Sequence, residues 1–303
     1  MRIGIDLGGT KTEGILLDGT RQTVHRFRLP TQSDSYSNII HGIVSVVHEL
    51  RKFSNHKINP TIGIGIPGTL SKDTGLVKNA NTTCLIGKAF DKDMSKALDA
   101  PVRIANDADC FTLSETIDGA GSGYNTVFGV IIGTGVGGGL CVNQRLLTGP
   151  NSITGEWGHN PLPWYENTAN NRLGPECYCG KRACIETYLS GPGLTYDHQL
   201  MTQTKLPAID IIAEARQKNI QAIATMQRYY SRFAKAISAV INIIDPDIIV
   251  LGGGLSHIDE IYSETPKLWG DWVFSDNVKT KILKNHHGAS SGVRGAAWLW
   301  NND

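Results

Sequence analysis

The chain has 303 residues, 40% of them hydrophobic, with a formal net charge of +1. That length suits two domains with a substantial core, and the near-zero charge excludes the basic footprint of a nucleic-acid or anionic-membrane binder. No apolar run approaches the ~18 residues that span a bilayer, and "MRIGIDLGG" starts as a strand with no leader pattern, so a cytoplasmic protein is expected.

The first segment, "RIGIDLGGTKTEGILLDG", reads as strand, Gly-Gly turn and strand. Over 36–50, Ile39, Ile40, Ile43, Val46, Val47 and Leu50 fall at helical spacing. "TIGIGIPG" at 61–68 reads as a short buried strand, "DKDMSKALDA" as a helix, and "PVRIANDADC" as a strand entering a polar turn. A helix then begins around "DADCFTLSETIDGA", with Asp109 near its start. "NTVFGVIIGTGVGGGLCVNQRLL" repeats the strand, Gly-rich turn, strand pattern: laid over the first segment, Gly8 meets Gly133, Gly14 meets Gly139 and Ile15 meets Leu140. "DPDIIVLGGG" likewise echoes "PTIGIGIPG". Two echoes in the same order point to a duplicated α/β domain. Residues 151–190 read as an insertion carrying cysteines, 222–244 as a long one-sided helix, and "SSGVRGAAWLW" as a Ser-capped final helix.

"CYCGKRAC", Cys177 to Cys184, holds three of the six cysteines. Stable disulfides are rare in the cytosol, and C-x-C is not the C-x-x-C of a redox pair. Three thiolates ask for a fourth ligand to complete tetrahedral zinc, and His159 is the nearest upstream candidate. Three unrelated thiols in a loop are the alternative. The remaining Cys84, Cys110 and Cys141 read as apolar packing.

"DLGGTK", Asp6 to Lys11, has the composition of a phosphate-binding hairpin. Gly8 and Gly9 can adopt positive φ and turn backbone N–H groups to an anion, Thr10 adds a hydroxyl, Lys11 a charge, and Asp6 can hold Mg²⁺. It is neither a Walker A loop nor a G-x-G-x-x-G fingerprint, and a plain hairpin turn is the competing reading. "GTGVGGG", Gly133 to Gly139, is similar, and a flat base can lie against "GGG" at 252–254. A phosphoryl acceptor needs a carboxylate to orient its hydroxyl and hydrogen-bonding groups for its neighbours. Asn106, Asp107, Glu156 and Glu186 have that chemistry, although Asp107 also suits a helix N-cap and the two glutamates also suit solvated surface positions.

"DLGGTKTE", "IPG", "NDAD", "GTGVGGG", "GEWGH", "CYCGKRACIE" and "VLGGG" occur in the order of the ROK family of bacterial sugar kinases and sugar-sensing repressors, which the chain resembles over its whole length. Within it, "GLVKNANTT", "FDKDMS", "GEWGHNPLPW" and "SSGVRGAAWLW" look most like the manno(fructo)kinase type, and "GTGVGGGL" and "SITGE" are similar to N-acetylglucosamine kinases. The resemblance implies the actin-like ATPase fold, two ribonuclease H-like α/β domains around a cleft, with boundaries expected at 1–118 and 119–289. A final helix over about 290–303 is expected to return to the first domain. It implies an ATP- and Mg²⁺-dependent hexose kinase acting on the 6-hydroxyl of fructose and mannose. N-acetylglucosamine or glucose is the alternative substrate. Asp107 would be the general base, with Asn81, Asn106, Asp107, Glu156, His159 and Glu186 on the sugar. The nucleotide and Mg²⁺ would meet Gly4, Ile5, Asp6, Leu7, Gly8, Gly9, Thr10 and Lys11; Gly133, Thr134, Gly135, Val136, Gly137, Gly138, Gly139 and Leu140; and Gly253 and Gly254. His159, Cys177, Cys179 and Cys184 would hold structural zinc. Ala183 stands where the family usually has glycine, and Asp109 where it often has asparagine. A repressor would need an N-terminal DNA-binding domain, for which the hairpin at Asp6 leaves no room. A sugar-binding module without turnover leaves both hairpins without a purpose. A homodimer is expected, as homo-oligomers are common.

Overall fold

The computed structural model describes residues 1–54, 59–165 and 174–301. Residues 166–173 of the expected insertion and 302–303 of the expected final helix lie outside the described residues.

The chain begins with β1 (Arg2–Leu7), β2 (Lys11–Leu17), β3 (Thr23–Pro30), α1 (Tyr36–Arg51) and β4 (Thr61–Ile66). It continues through β5 (Thr69–Leu70), β6 (Val77–Lys78), α2 (Phe90–Leu98), β7 (Val102–Asn106) and α3 (Asp107–Asp118). Then come β8 (Thr126–Ile132), β9 (Val136–Val142), β10 (Arg145–Leu146), α4 (Glu186–Leu189), α5 (Gly191–Thr202), α6 (Ala208–Arg216) and α7 (Ile220–Ile244). Last are β11 (Ile248–Gly252), α8 (Asp259–Leu268), β12 (Lys281–Lys284) and α9 (Ser291–Trp298). No helix among the described residues is long and apolar enough to cross a membrane.

One sheet runs β3-β2-β1-β4-β7 and a second runs β10-β9-β8-β11-β12. Numbered within its own half, each reads third, second, first, fourth, fifth. This is the duplication heard in the sequence, and with the flanking helices it is the actin-like ATPase fold. In the first sheet β1 pairs antiparallel with β2 and parallel with β4. In the second, β11 lies parallel to both β8 and β12.

Contacts divide the chain into two compact units, one of residues 1–125, 139–154 and 286–303, the other of 126–138 and 155–285. The sequence placed the division at 118/119; the contacts put 119–125 and 139–154 with the first unit.

In the first unit, α1 buries Ile39, Ile43, Val46, Val47 and Leu50 against the sheet and is capped by Ser35, whose hydroxyl accepts from the Asn38 N–H. A Cβ on Gly14 of β2 would lie 2.4 Å from Val46, so the strand is bare where the helix crosses it. α9 covers the opposite side at still closer range. A Cβ on Gly63 would lie 1.9 Å from the Ala296 carbonyl, and one on Gly4 2.1 Å from that of Val293. A single methyl at either strand position would force α9 off the sheet.

The final helix is not capped by serine as expected. Ser290 makes no side-chain cap, and the Ser291 hydroxyl donates instead to Glu115 Oε1 at 2.7 Å. Glu115 is fully buried on α3 and also accepts the backbone N–H groups of Ala120, His286 and His287. A buried carboxylate is tolerated when its lone pairs are filled this way. Beside it, Asp118 takes His287 Nε2 at 2.9 Å and the Arg294 guanidinium.

Candidate active site

The first unit gathers Asp6, the Gly8–Lys11 hairpin and the α3 N-terminus. Asp6, next to last in β1, is in register with Glu13 of β2. Its carboxylate points at α9, where a Cβ on Gly292 would lie 3.3 Å from Oδ2. Burial pushes Asp6 up to about 6, and the charges of Asp107 and Glu13 add to this while Lys11 opposes it. An acid crowded by acids and short of cations is a site that a divalent cation relieves.

The hairpin closes through Gly8 N–H to the Lys11 carbonyl at 2.9 Å, leaving Gly9 and Thr10 exposed at its tip. Neither Gly8 nor Gly9 takes the positive φ allowed to them; a Cβ on Gly8 would instead press to 3.0 Å on the Lys11 carbonyl. The expected nucleotide residues Gly4, Ile5 and Leu7 are redirected. Gly4 lies under α9, and the side chains of Ile5 and Leu7 are core. Glu13 was not foreseen. It is buried, with Lys11, Arg26 and Arg28 at 3.6, 3.0 and 2.7 Å. An acid inside an otherwise apolar strand was its signal in "KTEGILL".

At the α3 N-terminus the cap is Asn106, whose Oδ1 accepts from the Ala108 N–H at 2.8 Å. Asp107 is the first helical residue and is exposed. Asp107 Oδ1 accepts the same Ala108 N–H, also at 2.8 Å, so the two adjacent residues share the cap while the Asp107 side chain stays at the surface. Asn81 is also exposed, its N–H held by the Pro67 carbonyl at 3.0 Å.

The second unit carries the cysteine cluster. His159, Cys177, Cys179 and Cys184 each offer one ligand atom, all within 4.8 Å of one another. His159 Nδ1 lies 3.6 Å from Cys177 Sγ, and Cys179 Sγ lies 3.6 Å from Cys184 Sγ. Tetrahedral zinc with bonds of about 2.3 Å to sulfur and 2.05 Å to nitrogen has edges of roughly 3.6–3.8 Å, so the residues fit the ion. Burial, with Cys179 and Cys177 nearby, pushes the Cys184 thiol up to about 12, and a bound cation reverses that. The loop is set by a tight turn, Cys177 N–H to the Lys181 carbonyl at 2.8 Å, and by a bridge between Pro161 and Cys184. Ala183 has φ 56°, the left-handed region that its glycine-like position demands.

Glu186 opens α4 directly after the cluster. Its Oε2 accepts the Val136 N–H at 2.9 Å, and a Cβ on Gly135 would lie 2.7 Å from that oxygen. Val136, expected to meet the nucleotide, gives its N–H to protein. Gly137 gives its carbonyl to Trp157 Nε1 at 3.0 Å, and Gly138 sits beneath that indole. In the first unit, Gly139 meets Thr112 and Leu140 is core. Glu156 is exposed just before the short turn of Trp157–His159.

Gly133, Thr134 and Gly254 line an apolar cavity of about 500 Å³ with Ile209, Ile212 and Ile258. Gly253, at φ 82°, turns the chain there, 2.4 Å from the Ile132 carbonyl at its would-be Cβ. The α6 walls were missed by sequence, though Ile209 stands 74% exposed on a helix that otherwise buries Ile211. The shape suits a flat aromatic base.

A family model described as "ROK family" matches residues 2–303. An N-acetyl-D-glucosamine kinase of Yersinia enterocolitica is 38% identical over 304 residues, 99% of each chain. Among solved structures, a ROK hexokinase from Thermus thermophilus superposes with a TM-score of 0.85 at 23% identity, covering 98% of this chain and 96% of that one. A ROK family glucokinase from Streptomyces griseus, in complex with glucose and AMPPNP, does so with a TM-score of 0.76 at 24% identity over 98% of both.

Proposed function

The chain belongs to the ROK family, and from that premise we propose that it transfers the γ-phosphoryl group of ATP to the 6-hydroxyl of a hexose. The observation that carries the reading is Asp107, an exposed carboxylate at the first turn of α3 beside the half-buried Asp6, where Asn106 shares the capping. In phosphoryl transfer the bonds at phosphorus are loose, so the protein mainly positions and neutralises. Asp107 accepts the hydrogen bond of the 6-hydroxyl, aims its oxygen at phosphorus and takes the proton late. Lys11 and the N–H groups of the hairpin tip meet phosphate oxygens, and Asp6 is the carboxylate for Mg²⁺. When bound, that ion spreads the developing phosphate charge.

In the second unit, Glu156, His159 and Glu186 take sugar hydroxyls and the cavity at Gly254 takes the base. Zinc on His159, Cys177, Cys179 and Cys184 fixes the loop before Glu186, which is preorganisation and not acid catalysis at the metal.

N-acetyl-D-glucosamine is the first substrate on this reading, because full-length relatives at 38% identity are named as kinases of that sugar. The fructose and mannose preference expected from the sequence finds no support among those relatives; it rests on the likeness of "GLVKNANTT", "FDKDMS", "GEWGHNPLPW" and "SSGVRGAAWLW" and stands second. A coupled ADP-release assay with MgATP against N-acetylglucosamine, fructose, mannose and glucose tests both. The highest kcat/KM is expected for N-acetylglucosamine. Fructose or mannose leading reverses the order, and no turnover with any hexose removes the kinase reading.

A further inference from the structure

Tyr178 stands between two of the cluster's cysteines, with its side chain 78% exposed. Its hydroxyl nonetheless lies 2.9 Å from His159 Nε2, and the two rings meet edge to face at 5.1 Å. The other ring nitrogen, Nδ1, faces the cluster. An imidazole bound to a metal through Nδ1 is neutral and keeps its hydrogen on Nε2. Nε2–H therefore donates to the phenol oxygen of Tyr178. It is the one polar group that His159 has left to offer.

The proposed function, on which this inference rests, gives that same N–H to a sugar hydroxyl. Tyr178 borders a cavity of about 550 Å³ that Glu186 and Thr134 also line, so the phenol sits beside the sugar ligands and has space to leave. We infer that Tyr178 tunes sugar recognition: its hydroxyl is a built-in stand-in for a substrate hydroxyl, occupying the His159 Nε2–H and giving way when sugar arrives. The displacement costs affinity, because the sugar wins a hydrogen bond already made. It also favours sugars that present a hydroxyl at that point, since one lacking it leaves the phenol in place.

The test is Tyr178→Phe, which keeps the ring and removes the oxygen. Removing one competing hydrogen bond should tighten hexose binding by about 2- to 10-fold. Isothermal titration of the zinc-loaded protein with the best hexose, without nucleotide, reads this directly. KM for the sugar should fall by the same factor with kcat little changed, and zinc content should stay at the wild-type value. Unchanged or weaker binding overturns the inference while leaving the sugar-kinase reading intact. Loss of zinc in the variant also overturns it, by showing that Tyr178 merely supports the loop. If neither protein binds any hexose, the inference falls together with the proposed function.

Discussion

Glu186 Oε2 accepts the Val136 N–H at 2.9 Å and so ties the start of α4, just past the cysteine cluster, to the second glycine-rich hairpin. The bond gives Glu186 a structural duty beside its proposed contact with sugar, and two substitutions separate them. Glu186→Gln keeps a carbonyl oxygen for Val136 and loses the charge; Glu186→Ala loses both. The glutamine variant should melt close to wild type and raise KM for the sugar. The alanine variant should also lose about 1–2 kcal/mol of stability from the unmet N–H, and KM for ATP should rise as the hairpin loosens. Equal melting temperatures for the two variants would show that the bond does not hold the hairpin.

Asp6 is held at about 6 by burial first and by Asp107 and Glu13 next, against roughly 3.9 for an unfolded aspartate. Below pH 4 it is protonated in both states and costs nothing. As pH rises through 6 the folded protein bears an ionised, crowded acid, a penalty on the order of 2–3 kcal/mol. Asp6→Asn should therefore raise the melting temperature of the nucleotide-free protein at pH 7.5, by roughly 4–8 °C, and leave it unchanged at pH 4. It should also abolish most turnover and the stabilisation by MgATP. A melting temperature that falls at pH 7.5 would mean that Asp6 is already compensated without a cation.

Local patterns were legible because local physics made them. The stripe from Ile39 to Leu50 became α1 because an amphipathic helix needs only its own spacing and a sheet to cover. The echo of Gly8 in Gly133 became two sheets of the same strand order. The packing of Gly4 was hidden for a physical reason: glycine serves a ligand and a crossing helix equally well, and its partner Val293 is almost the whole chain away. The cap was ambiguous because Asn106 and Asp107 are both good at it. Glu115 gave no signal at all, since apart from Ala120 the donors it accepts come from the far end of the sequence.

Ala183 occupies the left-handed region at φ 56°, which costs an alanine roughly 1–2 kcal/mol, partly offset by the extra freedom of an unfolded glycine. Ala183→Gly should gain about 0.5–1 kcal/mol. Because the strain sits next to Cys184, zinc should also leave the variant more slowly in the presence of a chelator. Release followed with a zinc-responsive dye checks this; faster release would show that the Ala183 methyl group supports the loop more than its backbone strains it.

Glu115 joins α3 to the chain returning at residues 286–291. Glu115→Gln turns one oxygen into an NH₂ group facing donors inside the first unit. A loss of about 2–4 kcal/mol is expected. Because α9 carries Gly292 against Asp6, hydrogen exchange should rise in α9 and β1 and stay unchanged in α7. A rise spread evenly over both units would mean that the contact is not what anchors the final helix.

Asp107 and Asn106 allow the proposed chemistry to be separated from the fold. Since Asn106 Oδ1 caps α3 and an asparagine side chain at 107 keeps the oxygen that shares its donor, Asp107→Asn should leave the melting temperature near wild type. It removes the base, and kcat should fall by roughly 10²–10⁴-fold with KM for the sugar little changed. It also takes away a charge that raises Asp6, so the Asp6 titration should move down. Asn106→Ala should do the reverse, losing about 1 kcal/mol of stability as the cap goes while the base chemistry survives. A near-normal kcat in Asp107→Asn would move the base elsewhere. A large stability loss in that variant would return Asp107 to the role of a helix cap and leave the kinase reading without its carboxylate.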